Sequence, residues 1–81
     1  MRCVARVEEV TDHPRPRSRT AVTSRPENLP RSVAAIVAAW RGVHVSRIRV
    51  DVTTGEVHLL RDRRRGGAIV SEEVLAARVV R

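Results

Sequence analysis

Ile48, Val50 and Val52 alternate against Arg47, Arg49 and Asp51, and beyond a Thr-Thr-Gly turn Val57 and Leu59 alternate against His58. A period of two on both sides of a turn predicts a β-hairpin with one apolar and one polar face. A four-residue loop over Val52–Gly55 sets Val50 opposite Val57 and Ile48 opposite Leu59. A three-residue loop would turn half of the apolar set outward. In the longer loop Asp51 can accept from turn amides and Gly55 can take a left-handed conformation. Val43 and Val45 have the opposite phase to Ile48, which predicts a bulge near Ser46.

The period changes in NLPRSVAAIVAAWRG. Val33, Ile36, Val37 and Trp40 recur at helical spacing, with Ala34, Ala35, Ala38 and Ala39 as small flanks. Asn28 stands at a capping position, Pro30 is tolerated in a first turn, and Gly42 terminates the helix. Trp40 is expected to plug the core or to anchor a subunit contact.

The ends of the chain are read more coarsely. Residues from Cys3 to Val10 alternate loosely and predict a first strand. Pro14, Pro16 and a Ser/Thr-rich run make Asp12–Glu27 an extended linker, either a solvated connection or a basic arm that folds onto a polyanion. RDRRRGG reads as a charged loop. Ser71, with Glu72 and Glu73 after it and Arg78 and Arg81 near the end, predicts a short capped helix whose charges complement its dipole. The terminal ARVVR extending as a strand is the alternative. The expected fold class is therefore α+β: one domain whose small antiparallel sheet arises from strand, helix, β-hairpin and helix in that order, both helices packed on one face. Its segments are a strand at 1–10, a linker at 11–27 and a core at 28–81.

Composition narrows the function more than the fold. The chain has 81 residues and a single aromatic, Trp40, so Val, Leu, Ile and Ala must pack a small core. One cysteine excludes an internal disulfide. Cys3, His13, His44 and His58 show no metal-ligand spacing, so neither a metal nor a cofactor is expected. No serine lies in a nucleophile elbow, and the adjacent pairs Glu8-Glu9 and Glu72-Glu73 diverge within a regular element. No catalytic residue is assigned and an enzyme is not expected.

The charge is +7, with all 16 basic residues arginine. A GC-rich codon usage accounts for arginine in place of lysine, but not for the excess of charge, which speaks for anionic partners. Arg47, Arg49, His58, Arg61, Arg63, Arg64 and Arg65 cluster on and after the hairpin, and Arg15, Arg17 and Arg19 on the linker can add to them. These are the candidate anion- or partner-binding residues. RRRGG lacks the spacing of a phosphate-binding P-loop. With no aromatic on the hairpin and no helix-turn-helix, nucleic-acid binding would be directed at the backbone. Two functions follow as expectations. One is a self-associating binding module that docks an acidic protein surface or its own assembly. The other is a sequence-tolerant nucleic-acid binder. The N-terminal acidic residues do not suit a signal peptide, and the apolar run Val33–Trp40 is too short to span a bilayer, so a cytoplasmic protein without membrane contact is expected.

Two resemblances bear on the fold. A helix ending in RGV, followed by RIRVDVTTGEVHL and, after a loop, SEEVLAA, resembles heavy-metal-associated domains over about the last fifty residues. That resemblance implies a ferredoxin-like sandwich of two helices on a sheet. The metal-binding C-x-x-C of that family would precede the first helix, where this chain has RPENLP, so no metal role is carried over. GVHVSRIRVDVTTGEVHLLR is also similar to a hairpin in the large subunits of molybdenum hydroxylases. The cofactor-binding context of those enzymes is missing around it, and no residue is carried over.

Overall fold

The computed structural model describes residues 2–80. Five strands form one antiparallel sheet, and a single α-helix lies on one face of it. The strands are β1 (Cys3–Glu9), β2 (Ser18–Thr23), β3 (Ile48–Val50), β4 (Glu56–Arg65) and β5 (Ala68–Val80), in the spatial order β2-β1-β5-β4-β3. The helix α1 spans Leu29–Arg41, with Pro30 in its first turn and Gly42 closing it in the left-handed conformation. Asn28 occupies its N-cap without making a side-chain bond.

Alternation in β1 and helical spacing in α1 meet in one core. Val7, Val33, Val37 and Val57 are the largest fully buried side chains, each contributing roughly 1.5–3 kcal/mol through its removal from water. Ala21, Ala76 and Ala77 complete the cluster, and Leu29, Ile36, Trp40, Ile48, Val50, Leu59 and Val79 pack around it. Ala34 and Ala38 are also buried, so the helix presents small side chains to the sheet.

The β3–β4 hairpin has the register that its alternation requires: Ile48 faces Leu59 and Val50 faces Val57. Asp51 Oδ1 accepts from the amides of Thr53 and Thr54 at 2.9 and 3.2 Å. Gly55 closes the turn at φ 78°. The bulge expected near Ser46 is a 3₁₀ turn over Val45–Arg47, capped by His44, whose Nδ1 accepts from the Ser46 amide at 3.1 Å.

The expected two-helix, ferredoxin-like arrangement is corrected. The segment from Ala68 to Val80 is strand β5, the middle strand of the sheet, and the described residues hold one α-helix. Gly66 and Gly67, at φ 56° and 83°, form a two-residue turn of the mirror-image kind that hairpins prefer, so RDRRRGG is the end of β4 and a turn. Ser71, Glu72 and Glu73 resemble a helix start, but Glu72 and Glu73 are spent on cross-strand ion pairs with Arg61 and Arg49. A helix this short would have offered only Val74, Leu75 and Val79 for burial, too little to offset its nucleation cost. As a strand the same segment buries Ala77, which pairs with Val57, and Ala76, the extra residue of a register shift between the Val57–Ala77 and His58–Leu75 pairs.

The reading of residues 11–27 as a linker also changes. Ser18–Thr23 pairs with β1 from Cys3↔Thr23 to Glu8↔Ser18, and Pro14 and Pro16 fall in the connecting loop, where no ladder bond is needed.

Of the four glycines only Gly55 leaves no room for a side chain. A Cβ there would lie 2.9 Å from the Val79 carbonyl oxygen, and the Gly55 carbonyl accepts from the Val79 amide at 2.7 Å. Gly67 also has positive φ but opens onto empty space. Gly55→Ala is expected to cost about 2–4 kcal/mol, from the disfavoured φ plus the contact, and Gly67→Ala only about 1 kcal/mol. Urea denaturation midpoints of the two variants check the order. Equal losses would mean that β5 gives way at Val79.

Candidate functional site

The molecule measures 51 × 29 × 22 Å, and its length comes from β4 and β5. β3 pairs with β4 only at Val57–Leu59, and β1 pairs with β5 only at Ala77–Val80. Leu60–Arg65 and Ala68–Glu73 therefore pair only with each other, as a two-stranded ribbon that runs past both flanking strands for about 20 Å at 3.3 Å per residue.

Charge is distributed unevenly along this ribbon. At its base Arg61 Nε meets Glu72 Oε1 at 2.8 Å, Arg49 Nη1 meets Glu73 Oε1 at 2.9 Å, and Arg47 Nη1 lies 3.7 Å from Asp62, which also accepts from Ser71 Oγ. Arg63 shares Glu72 with Arg61, at 3.9 Å. Beyond Asp62, paired with Ser71, no carboxylate follows: Arg63, Arg64 and Arg65 stand opposite Val70, Ile69 and Ala68. Arg64 and Arg65 make no ion pair among the described residues. Ile69 is 68% exposed, Val70 45%. The tip thus has one basic strand and one apolar strand, both in solvent.

The pleat divides the arginines of the candidate set. Arg49 and His58 are cross-strand neighbours on the face away from α1, and Arg64 has the same parity along β4. Arg61, Arg63 and Arg65 alternate to the other face. Arg47 stands on the 3₁₀ turn before β3. Arg19 lies opposite Val7 on β2, the far edge of the sheet from β3. The expected single basic face is thus a ribbon with arginine on both sides.

Arg15 and Arg17 belong to a different structure, the loop joining β1 to β2. Val10, at its start, donates its amide to the Ala76 carbonyl, so the loop flanks the base of the ribbon. Arg17 is a clasp. It gives its amide, Nε and Nη2 to the Glu9 carboxylate at 3.1, 3.1 and 2.8 Å, and Nη2 also donates to the Trp40 carbonyl at 2.9 Å. Its guanidinium lies 5.7 Å from the Trp40 ring centroid, within cation–π range. The Arg17 cation also complements the negative end of α1. Arg41, on the last turn of α1, donates Nη2 to the Val10 carbonyl at 3.0 Å, and its buried Nε has no partner. Glu9, Thr11, His13, Arg15, Arg17 and Arg41 together line a cleft of about 410 Å³.

Among the described residues no three His, Cys, Asp or Glu side chains come together as a metal site, and no helix is long and apolar enough to cross a membrane. Compared with protein-family models, with curated proteins and with solved structures, the chain matches none.

The clasp has a pH signature. Hydrogen bonds from the Arg17 side chain hold the Glu9 carboxyl below its ordinary value of 4.5, against the opposing effect of burial. A carboxyl lowered in the folded state contributes stability that is complete above the unfolded value and disappears as pH falls through the folded one. Asp51 is lowered by the turn amides of Thr54 and Thr53, and Glu72 by Arg61. Stability is therefore expected to fall as pH drops below 4.5. Glu9→Gln is expected to cost about 1–3 kcal/mol at pH 7 and to flatten the acid limb, leaving the part due to Asp51 and Glu72. Denaturation midpoints between pH 7 and pH 3 check this. An unchanged acid limb in the variant would show that the clasp adds nothing.

Proposed function

We propose that the chain is a cytoplasmic binding module rather than an enzyme, and that its ribbon docks an anionic partner, with duplex nucleic acid the partner that the geometry favours. The observation that carries this reading is the ribbon tip, where Arg63–Arg65 face Ala68–Val70 with no carboxylate beyond Asp62. A two-stranded ribbon is narrow enough to enter a DNA groove, and a twisted ribbon with arginine on both sides meets phosphates on both walls. An exposed Ile beside arginines is also the pairing used by minor-groove binders that wedge an apolar side chain between base steps. An acidic protein surface would satisfy the arginines, but it gives no reason for the ribbon's length or its two-sided charge.

Binding is then expected to be sequence-tolerant, with dissociation constants on the order of 10⁻⁴–10⁻⁶ M at physiological salt. Replacing Arg63, Arg64 and Arg65 together by Ala should reduce the slope of log affinity against log salt by about 2–3, at all duplex sequences alike. Fluorescence anisotropy of a labelled duplex between 50 and 200 mM salt reads both quantities. Binding of the parent protein that is independent of salt, or a triple variant with an unchanged slope, would overturn the reading. Retention of an acidic protein with no affinity for the duplex would favour the protein partner instead.

A second reading, self-association, is favoured by the uncovered face of the sheet. Val4 and Val22 are cross-strand neighbours there, 57% and 52% exposed, and Val80 stands beside them on β5 opposite Arg6. Val4→Thr with Val22→Thr is expected to convert a dimer to monomer by light scattering. A parent protein that is already monomeric at high concentration ends this second reading.

A further inference from the structure

The cleft between the β1–β2 loop and the end of α1 holds an excess of hydrogen-bond donors. Its one carboxylate, Glu9, is saturated by three bonds from Arg17, and its side chain is 5% exposed. Arg41 has a donor to spare, since its Nε is buried without an acceptor while Nη2 is held by the Val10 carbonyl. Arg15 makes no ion pair among the described residues. His13 Nδ1 accepts from the Arg15 amide at 3.3 Å, which assigns the proton of the neutral ring to Nε2, a donor. Thr11 Oγ1 accepts from the His13 amide at 3.2 Å and keeps its own O–H to give. Pro14 and Pro16 bracket Arg15 and restrict the loop backbone, lowering the entropy cost of holding these groups in place.

We infer that this cleft is a binding site for a phosphoryl oxyanion, held by Arg15, Arg41, His13 and Thr11, with Arg17 and Glu9 as its fixed wall. Donors arriving from the loop and from the helix suit a tetrahedral anion with three acceptor oxygens better than a flat carboxylate, and guanidinium groups are the side chains best matched to phosphate. The volume of about 410 Å³ falls within the range of small-ligand pockets. A phosphate ester free in solution and the backbone of a nucleic acid present the same group. The site stands apart from the ribbon: it draws on none of the residues from 60 to 75.

Titration of the ¹⁵N-labelled protein with inorganic phosphate, at constant ionic strength, tests the inference. Saturable shifts confined to residues 11–17 and to Arg41 are expected. Arg15→Ala should weaken phosphate about tenfold, and Arg64→Ala should leave it unchanged. His13→Gln is a second variant that keeps a donor at the ring position and should retain most of the affinity. Adding duplex DNA separates the two sources. Displacement of phosphate supports the site with the nucleic-acid backbone as its anion, and binding of both together supports it with a phosphate ester. A linear response, shifts spread equally over the ribbon arginines, or full affinity in Arg15→Ala would overturn it, leaving the cleft arginines as complements to the end of α1.

Discussion

Everything in this sheet depends on the pairing of β5 with its neighbours. It lies between the two halves, joining the β1–β2 pair on one side to the β3–β4 pair on the other. It supplies Ala76 and Ala77 to the core and holds the first hairpin turn through Val79 and Gly55. A small domain with no disulfide has little stability to lose, so disruption of this one strand would divide the core into two halves, neither of which can bury its apolar face alone.

That central role sets the electrostatics. Where β4 and β5 lie near the sheet, cross-strand arginine–glutamate pairs line the ladder, and each such exposed pair contributes only a fraction of a kcal/mol. Their larger effect is on where charge remains. The carboxylates Asp62, Glu72 and Glu73 pair with arginines at the base of the ribbon, and within the ribbon leave Arg64 and Arg65, at its tip, without an ion pair among the described residues. Arg19 on β2 and Arg31 on α1 also make no ion pair among the described residues, but they stand singly on the body of the sheet and helix, whereas Arg64 and Arg65 are adjacent at the ribbon tip. Exposed ribbon edges ordinarily invite strand addition by other chains, and arginine along β4 opposes it on that edge. Ile69 and Val70 leave the β5 edge without such protection.

Much of the fold could be read from local pattern. Helix α1, strand β1 and the register of β3 against β4 follow from spacing and from the D-x-x-T-G-E turn, because in each the apolar side chains lie close together in sequence. The strand β5 could not be recognised so simply. Ser71-Glu72-Glu73 is as good a helix start as a strand segment, and what decides between them is a partner, RDRRR, whose uniform polarity hides a period of two. The useful signal was the Gly-Gly pair between Arg65 and Ala68, a two-residue hairpin turn by the same logic that identified the first one. For β2 the flanking prolines masked a six-residue strand, SRTAVT, rich in β-branched side chains. The candidate arginines were legible as residues but not as a site. Residue type gives no sign that Arg49 and Arg61 are matched by glutamates while Arg64 and Arg65 are not. Arg41 was hidden by its place at a helix end, where a cation is already explained by the dipole.

The two cationic features differ in rigidity, and that difference separates what each can recognise. The ribbon tip is long, exposed on both faces and held only by its own ladder, which suits an extended polyanion that neutralises many charges without exact placement. The cleft is short and braced. Arg17, held by the Glu9 carboxylate and the Trp40 carbonyl, fixes one wall, two prolines fix the loop, and the helix carries Arg41. Donors so constrained lose little entropy on meeting an anion and can discriminate by shape. A chain with one aromatic residue has no stacking surface with which to read a base, so any selectivity it has must come from the placement of guanidinium groups. The loop from Val10 to Arg17, lying against the base of the ribbon, is where that placement is most closely controlled.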